Sequence, residues 1–395
     1  MSSNPSVRVA AGTVFYQTEQ ILVLAMWNLV SQGVTDFYLL CHDSEPTQGA
    51  FEQFDGVATI HLAYKRTPPF FQGRMMTLLA EAAKRDGFDV FIPFDSDEFA
   101  ESIDENKGLL QQVSEWAESK ASVALAVDYQ NYLLPNSVQD FTGSDLARAV
   151  YAIKPEGSES SSNPSAEASG IRRGSDTKVW LNLSLIEGSN SFSITEGFHS
   201  VYVNGALQKP ILATGLKMAH LPYQGYSQMV KNRAHSKRRL AAGFSTNMSK
   251  HKHAFSDNDE TEMIRTWGER SWVEESGKVV FAVPRQGTVL SYDNAFERIA
   301  ARLFAAQAMQ AASSGTKITV SLGLTQHLVD IAVDSDTGFP ARNSMVWQLR
   351  AAVAQREELE KLLQQHAPQL GVKYESRSKG RLAILKLARK VLKNK

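Results

Sequence analysis

The alternation of short apolar runs with helix-patterned stretches over residues 7–94 constrains this 395-residue chain more than any other feature. Residues 7–15 read as a strand, and 19–32 as a helix whose apolar residues recur at helical spacing. The run DFYLLC at 36–41 is a short strand closed by the polar His42-Asp43-Ser44-Glu45-Pro46. Residues 57–62 form another strand, 74–84 a helix ended by Asp86-Gly87, and 90–94 a buried strand. Strands separated by helices must be joined by crossovers, and crossovers place them side by side and parallel. The expected fold class is therefore α/β, with a mostly parallel central sheet and flanking helices.

The last of these strands runs straight into acid: Phe91-Ile92-Pro93-Phe94-Asp95-Ser96-Asp97-Glu98-Phe99. Carboxylates beside a buried strand are costly unless paired or bound to a metal. Asp95 and Asp97 are two residues apart, so a turn just past the strand lets both approach one ion. Oxygen-rich sites of this kind suit Mg²⁺ or Mn²⁺, which can bridge a diphosphate. Ligands of open α/β sheets also bind beyond the carboxyl ends of strands. The competing reading is a helix N-terminus, which Asp and Ser cap well.

The second half is less regular. Residues 155–170 (PEGSESSSNPSAEASG) hold six Ser and no aromatic, the composition of a loop rather than of packed structure. Strand-like pieces follow at 178–185, 199–203 and 216–221, and helices are expected to dominate from about Tyr226, with a long one around 345–365. Residues 371–395 hold nine Lys or Arg against one Glu. Within 381–395, Lys386, Arg389, Lys390 and Lys393 share one face opposite Ile384, Leu385, Ala388, Val391 and Leu392. Such a basic amphipathic helix can lie on an anionic membrane surface; the plainer reading is a terminal helix docked on the body. The division expected is 1–240 as a catalytic domain and 241–395 as a mostly helical region ending in this basic helix.

With 42 basic and 42 acidic residues, overall charge points to no polyanionic partner. The basic run at 231–239 and the basic tail lack interleaved aromatics, so no nucleic-acid partner is expected. The single cysteine, Cys41, excludes an internal disulfide framework and fits a reducing compartment. The opening residues lack a secretory signal, and no apolar run approaches the roughly 20 residues of a membrane span. The expectation is a cytoplasmic protein, with peripheral contact at the inner face of the membrane through the C-terminal helix.

Four blocks, in order, resemble the family-2-like glycosyltransferases. The stretch RMMTLLAEAAKRDGFDVFIPFDSDEF (74–99) is similar to the family's helix, turn and strand leading into D-x-D-E-F. Upstream, WNLVSQGVTDFYLLCHDS (27–44) resembles its helix, G-V-d, strand and D-x-S opening. Downstream, GFHSV (197–201) and HLPYQGYSQMVK (220–231) resemble its G-x-H and H-x-P…K blocks. The likeness covers roughly residues 8–235. It departs where the family's R-N-E is replaced by YQTE (16–19), and it does not reach beyond about residue 240.

The resemblance implies a GT-A fold, Rossmann-like in its sheet, and transfer of a sugar from a nucleotide-diphosphate sugar to a hydroxyl acceptor, a glycan, with inversion. It implies Mn²⁺ or Mg²⁺ as cofactor, with Asp95 and Asp97 facing cation and donor and Asp97 the more direct ligand. Asp43 would sit near the nucleoside, and Arg74 and Lys231 would be donor-binding cations. Metal-dependent members add a downstream histidine after a strand; His220 fits, with His199 as competitor. Arg233, Lys237, Arg238 and Arg239 are further cations for the diphosphate, or a solvated helix face. An acceptor hydroxyl must lose its proton to a carboxylate; Glu196 stands first, with Asp176 and Glu98 behind it. The rival classes are a phosphohydrolase, a nucleotidyltransferase, and a non-catalytic GT-A-like scaffold that acts through its C-terminal helices.

Overall fold

The computed structural model describes residues 7–16, 19–42, 49–65, 72–104, 106–155, 177–188, 190–241, 260–285 and 287–312. The first half follows the sequence pattern closely. Strand β1 (Val9–Phe15) leads through helix α1 (Glu19–Val30) to β2 (Asp36–His42), then β3 (Thr59–Lys65), α2 (Gln72–Arg85) and β4 (Val90–Pro93). These four strands are parallel in the order β3-β2-β1-β4. The central strands β1 and β4 are buried along their whole length because both faces are covered. Ala11 and Phe15 of β1 face one core cluster, while Ala10 and Val14 face another beneath α2. Helix α2 ends as its Asp86-Gly87 predicts: Gly87 has φ +81°, a value glycine adopts without strain, and its N–H bonds Lys84 O at 3.0 Å.

Beyond β4 the sheet changes character, so the parallel arrangement expected describes one half of it. After β5 (Glu98–Ser102) and α3 (Leu109–Ser119), β6 (Ala124–Leu133) pairs antiparallel with both β7 (Tyr151–Pro155) and β8 (Lys178–Asn182). β8 inserts antiparallel between β6 and β4. The expected strand at 178–185 thus stops at Asn182, whose side chain accepts the Ser184 N–H and turns the chain into a short 3-10 segment, Leu183–Leu185. The small strands β9 (Phe192–Ile194), β10 (Val201–Val203) and β11 (Ala206–Leu207) form a separate three-stranded sheet. β12 (Ile211–His220) returns to the main sheet, parallel to β6 and antiparallel to β5.

The region after residue 226 is not simply helical. Helices α4 (Tyr226–Ala241) and α5 (Glu260–Gly268) are followed by a hairpin, β13 (Trp272–Glu275) with β14 (Lys278–Phe281). β15 (Thr288–Tyr292) then pairs antiparallel with β7, and α6 (Ala295–Ala312) follows. Nor does packing break at residue 240. Met263, Trp267, Phe296, Ile299 and Leu303 belong to the same core cluster as β1 and α1. Phe296 lies edge-on to Phe99 (5.2 Å) and Tyr132 (5.0 Å), and burying such a ring stabilises by about 1.5–3 kcal/mol. Glu101, fully buried on β5, is bonded at 2.7 Å by Arg298 of α6. Residues 260–312 complete the core of the preceding sheet, covering the apolar face of β5 and β6 with Phe296 and pairing buried Glu101 with Arg298. The Ser-rich stretch beyond Pro155, the expected helix at 345–365 and the basic helix at 381–395 lie outside the described residues. Among the described residues no helix is long and apolar enough to cross a membrane.

Candidate functional site

The strand order β3-β2-β1-β4 reverses between β1 and β4, the position at which open α/β sheets hold ligands. The acidic cluster falls there. Phe94 donates its N–H to Gly12 O of β1 at 3.0 Å, and the Glu98 N–H returns to Asp95 O at 3.0 Å. Asp95, Ser96 and Asp97 therefore form a tight turn between β4 and β5, not the cap of a helix. β5 pairs with β12 so that Glu98 lies opposite His220, and β6 places Asn131 opposite His220 on the other side. Leu221 N–H bonds Asp97 O at 2.9 Å. Register alone thus carries His220 to the aspartate turn.

His220 is held from one side. Its Nδ1 lies 2.6 Å from Asn131 Oδ1 and also meets the Tyr129 hydroxyl. Donation to the Asn131 oxygen requires the tautomer with the proton on Nδ1 and the lone pair on Nε2, whereas accepting from the Tyr129 hydroxyl requires the reverse; a metal selects the first. That lone pair faces Asp97, with Nε2 3.5 Å from Asp97 Oδ1. Neighbouring octahedral ligands at roughly 2.0–2.2 Å from a divalent ion lie about 2.8–3.1 Å apart, so this pair would close by a few tenths of an ångström on a cation. Asp97 and His220 would be the residues to hold such a cation, with a hydrogen bond behind the histidine of the kind metal-binding imidazoles use. Among the described residues no group of three or more His, Cys, Asp or Glu is placed to hold a metal. Further ligands would come from phosphate oxygens and water, the habit of Mg²⁺ and Mn²⁺.

Asp95 and Glu98 are engaged otherwise. Lys178, the first residue of β8, is 2% exposed. Its Nζ lies 2.5 Å from Glu98 Oε1 and 3.0 Å from Asp95 Oδ2. Gln72, at the start of α2, donates to Asp95 Oδ1 at 2.5 Å, and the Asp95 N–H bonds Glu98 Oε2 at 2.9 Å. Burial alone would raise the Asp95 carboxyl, but the charge and hydrogen bond of Lys178 outweigh it and hold it at about 2. Burial would lower Lys178, yet Asp95 and Glu98 raise it, so it stays charged. One ammonium cannot balance two carboxylates, and burial pushes Glu98, the more enclosed, well up. Lys178 was missed in the sequence. Its signal was a lysine opening the apolar run KVWL at 178–181, since an unpaired lysine is almost never buried.

The remaining candidates divide around this centre. Glu196 accepts the Gly73 N–H at 3.1 Å, closing the N-terminus of α2 one residue from Gln72. It sits in a turn where Gly197 and Phe198 have φ +71° and +60°; a buried phenylalanine in that region is strained, as residues at functional sites often are. Glu98, a reserve for proton removal, is instead the buried anchor of Lys178. His199 points elsewhere: its Nδ1 lies 3.0 Å from Thr177 O, and it lines a cavity of about 230 Å³ with Ser200, Gln208 and Lys209. Arg74 stands on the first turn of α2 within electrostatic reach of Glu81. Lys231 and Lys237 are exposed on α4 and Arg233 is half-buried there; α4 begins two residues after Gln224, whose amide lies 3.4 Å from Asp97 Oδ2. Asp43, Asp176 and the side chains of Arg238 and Arg239 lie outside the described residues.

These elements define an α/β protein with a Rossmann-like parallel half and a polar site at its switch point. No family model and no curated protein matches the chain. Among solved structures it is similar to S. aureus TarS 1–349, with 11% identity and a TM-score of 0.33 over 63% of this chain and 69% of that one. A second S. aureus TarS structure gives 10% and 0.32, over 67% and 44%. HddC from Yersinia pseudotuberculosis gives 13% and 0.26, over 45% and 78%. Likenesses of this size do not reach the site or its chemistry.

Proposed function

We propose that this chain is a GT-A-type glycosyltransferase that moves a sugar from a nucleotide-diphosphate sugar to a hydroxyl of a glycan acceptor, with inversion. The observation that carries the reading is the approach of Asp97 Oδ1 and His220 Nε2 to 3.5 Å at the sheet's switch point, with the imidazole's other nitrogen already bonded. Mn²⁺ or Mg²⁺ held by this pair would neutralise charge on the departing diphosphate. Lys178 keeps Asp95 ionised, and Gln72 orients it. Asp95 is then a fixed anion facing the donor, and this division of labour refines the expectation that Asp95 and Asp97 ligate together. Of the carboxylates considered for removing the acceptor proton, Glu98 is sealed by Lys178. Glu196 is partly exposed at the edge of the site and takes that role. Arg74, Lys231 and Asp43 are assigned to the donor.

The test is a thermal-shift panel of nucleoside diphosphates with and without Mn²⁺, run on the wild type and on Asp97→Asn. A ligand that binds only the folded chain raises its melting temperature. One nucleotide should stabilise the wild type only with metal, and Asp97→Asn should abolish that shift and turnover while leaving the unliganded melting temperature near that of the wild type. Metal-dependent stabilisation that survives in Asp97→Asn refutes the metal assignment. No stabilisation by any nucleotide would point to the scaffold reading.

A further inference from the structure

The cavity beside His199 lies outside the centre described above. It holds about 230 Å³, between Val179 of β8, His199 and Ser200 of the turn before β10, and Leu207, Gln208 and Lys209 at and after β11. None of Asp95, Asp97, Glu98, Lys178 and His220 lines it. Lys178 and Val179 are neighbours on β8 and so point to opposite faces of the sheet. Lys178 reaches Asp95, while Val179 belongs to the core cluster beneath α2. Hydrogen bonds to backbone oxygens hold the walls: His199 Nδ1 lies 3.0 Å from Thr177 O, the Gln208 N–H meets Val201 O at 2.9 Å, and Ser122 Oγ donates to Lys209 O at 3.0 Å. Walls fixed before a ligand arrives cost little to order when it binds.

The lining discriminates among ligand classes. Larger organic ligands occupy roughly 300–1,000 Å³, so this cavity suits a smaller one, about the size of one sugar ring. Among the described residues that line it, none offers a phenyl, phenol or indole ring as a platform for a base, and none is acidic, as a hard cation would require. An anion only accepts hydrogen bonds and is served by donors alone. Ser200 and Gln208 instead both donate and accept, and His199, with its Nδ1 proton given to Thr177 O, accepts at Nε2. Groups of this mixed kind match hydroxyls, which also donate and accept. Val179 and Leu207 add apolar surface for the C–H face of a sugar.

We propose that this cavity is a saccharide subsite, holding one neutral sugar unit of the acceptor beside the unit whose hydroxyl reacts. The proposal rests on the transferase reading above and places its acceptor. Glu196, assigned to the acceptor proton, and His199 stand on one turn. That turn is closed by the Thr195 N–H to Ser200 O and the Ser200 N–H to Thr195 Oγ1, both at 3.0 Å. Three residues span at most about 11 Å, so the two ends of the turn serve neighbouring units of one glycan.

The experiment probes a glycan array with the N-terminally biotinylated full chain, then titrates the best-retained glycan into wild type, Ser200→Ala/Gln208→Ala and Lys209→Met by calorimetry. Both alanines leave the backbone bonds of residues 200 and 208 in place. Nucleoside diphosphate with Mn²⁺ is titrated into each as a separate arm. The wild type is expected to retain a neutral glycan. The double variant should lose roughly tenfold of that affinity and Lys209→Met less, with nucleotide binding and melting temperature unchanged in both. Gln208→Trp fills the cavity and should abolish the same binding. No retained glycan overturns the proposal, as does equal binding by wild type and double variant or full affinity in a folded Gln208→Trp. A loss confined to Lys209→Met also overturns it, since the occupant would then be an anion. Failure of the nucleotide arm in the wild type, with glycan binding intact, would instead refute the transferase reading and leave the saccharide site standing.

Discussion

Lys178→Met isolates the electrostatic device on which the site is built. Methionine keeps the length and apolar bulk of the lysine stem and removes only the ammonium. The wild-type Nζ lies 2.5 Å from Glu98 Oε1 and 3.0 Å from Asp95 Oδ2, and the side chains of Lys178 and Glu98 are 3% and 0% exposed. Without the ammonium, two carboxylates remain beside a buried strand, and breaking a buried pair in this way costs about 3–5 kcal/mol. Against a total stability of about 5–15 kcal/mol, that is a large fraction. At about 2–4 °C per kcal/mol it lowers Tm by roughly 10 °C. Urea unfolding followed by tryptophan fluorescence should show an earlier midpoint with an unchanged slope. Adding Glu98→Gln to Lys178→Met should recover part of the loss, because one of the two orphaned carboxylates has gone; the two changes are then non-additive. If Lys178→Met stays within about 1 kcal/mol of the wild type, well short of the loss a broken buried pair entails, the ion cluster is not what holds this turn.

Three further outcomes follow from the same contacts. Asn131→Ala combined with Tyr129→Phe removes both partners of His220 Nδ1 and should weaken Mn²⁺ affinity about tenfold to a hundredfold with little change in fold; an unaltered metal titration would refute the histidine's role. Gly73→Ala would place a Cβ 2.6 Å from Ile194 O and 2.9 Å from Glu196 N, both backbone atoms. It should destabilise by about 1–3 kcal/mol in urea unfolding, and an unchanged midpoint would mean that α2 does not abut the 194–198 turn.

The third concerns Asp145, which closes a capping box with Thr142 and pairs with Arg148 at 2.8 Å. Burial would raise its carboxyl, but the Thr142 bonds and Arg148 outweigh it and hold it below the usual range. Its folded value is thus below its unfolded one. Its stabilisation is complete above the unfolded value of roughly 3.9 and is lost as pH falls through the folded value. Asp145→Ala should therefore cost about 1 kcal/mol at neutral pH and nothing in strong acid; a difference from wild type that persists there would contradict the assignment.

The sequence by itself determined the parallel half of the fold. β1, α1, β2, β3, α2 and β4 are each encoded by periodicity within 14 residues or fewer, and Gly87 and the acid turn punctuate them locally. It also placed Asp95 and Asp97 at the end of a buried strand, and the family resemblance offered His220, with His199 as its competitor. What it could not show is which atoms meet. Asp95 and Lys178 are separated by 83 residues, and their contact depends on β8 entering antiparallel beside β4, a pairing no local pattern encodes. His220 reaches Asp97 through the register of β12 against β5, and a slip of one residue would turn it to the opposite face. The hairpin and β15 stand where the sequence led us to expect helices. Only the assembled sheet shows that its far edge needed their apolar faces and that of α6, and that closing it brought Arg298 to buried Glu101. Local structure is written in local spacing; the chemistry of this site is written in strand order, which long-range burial decides.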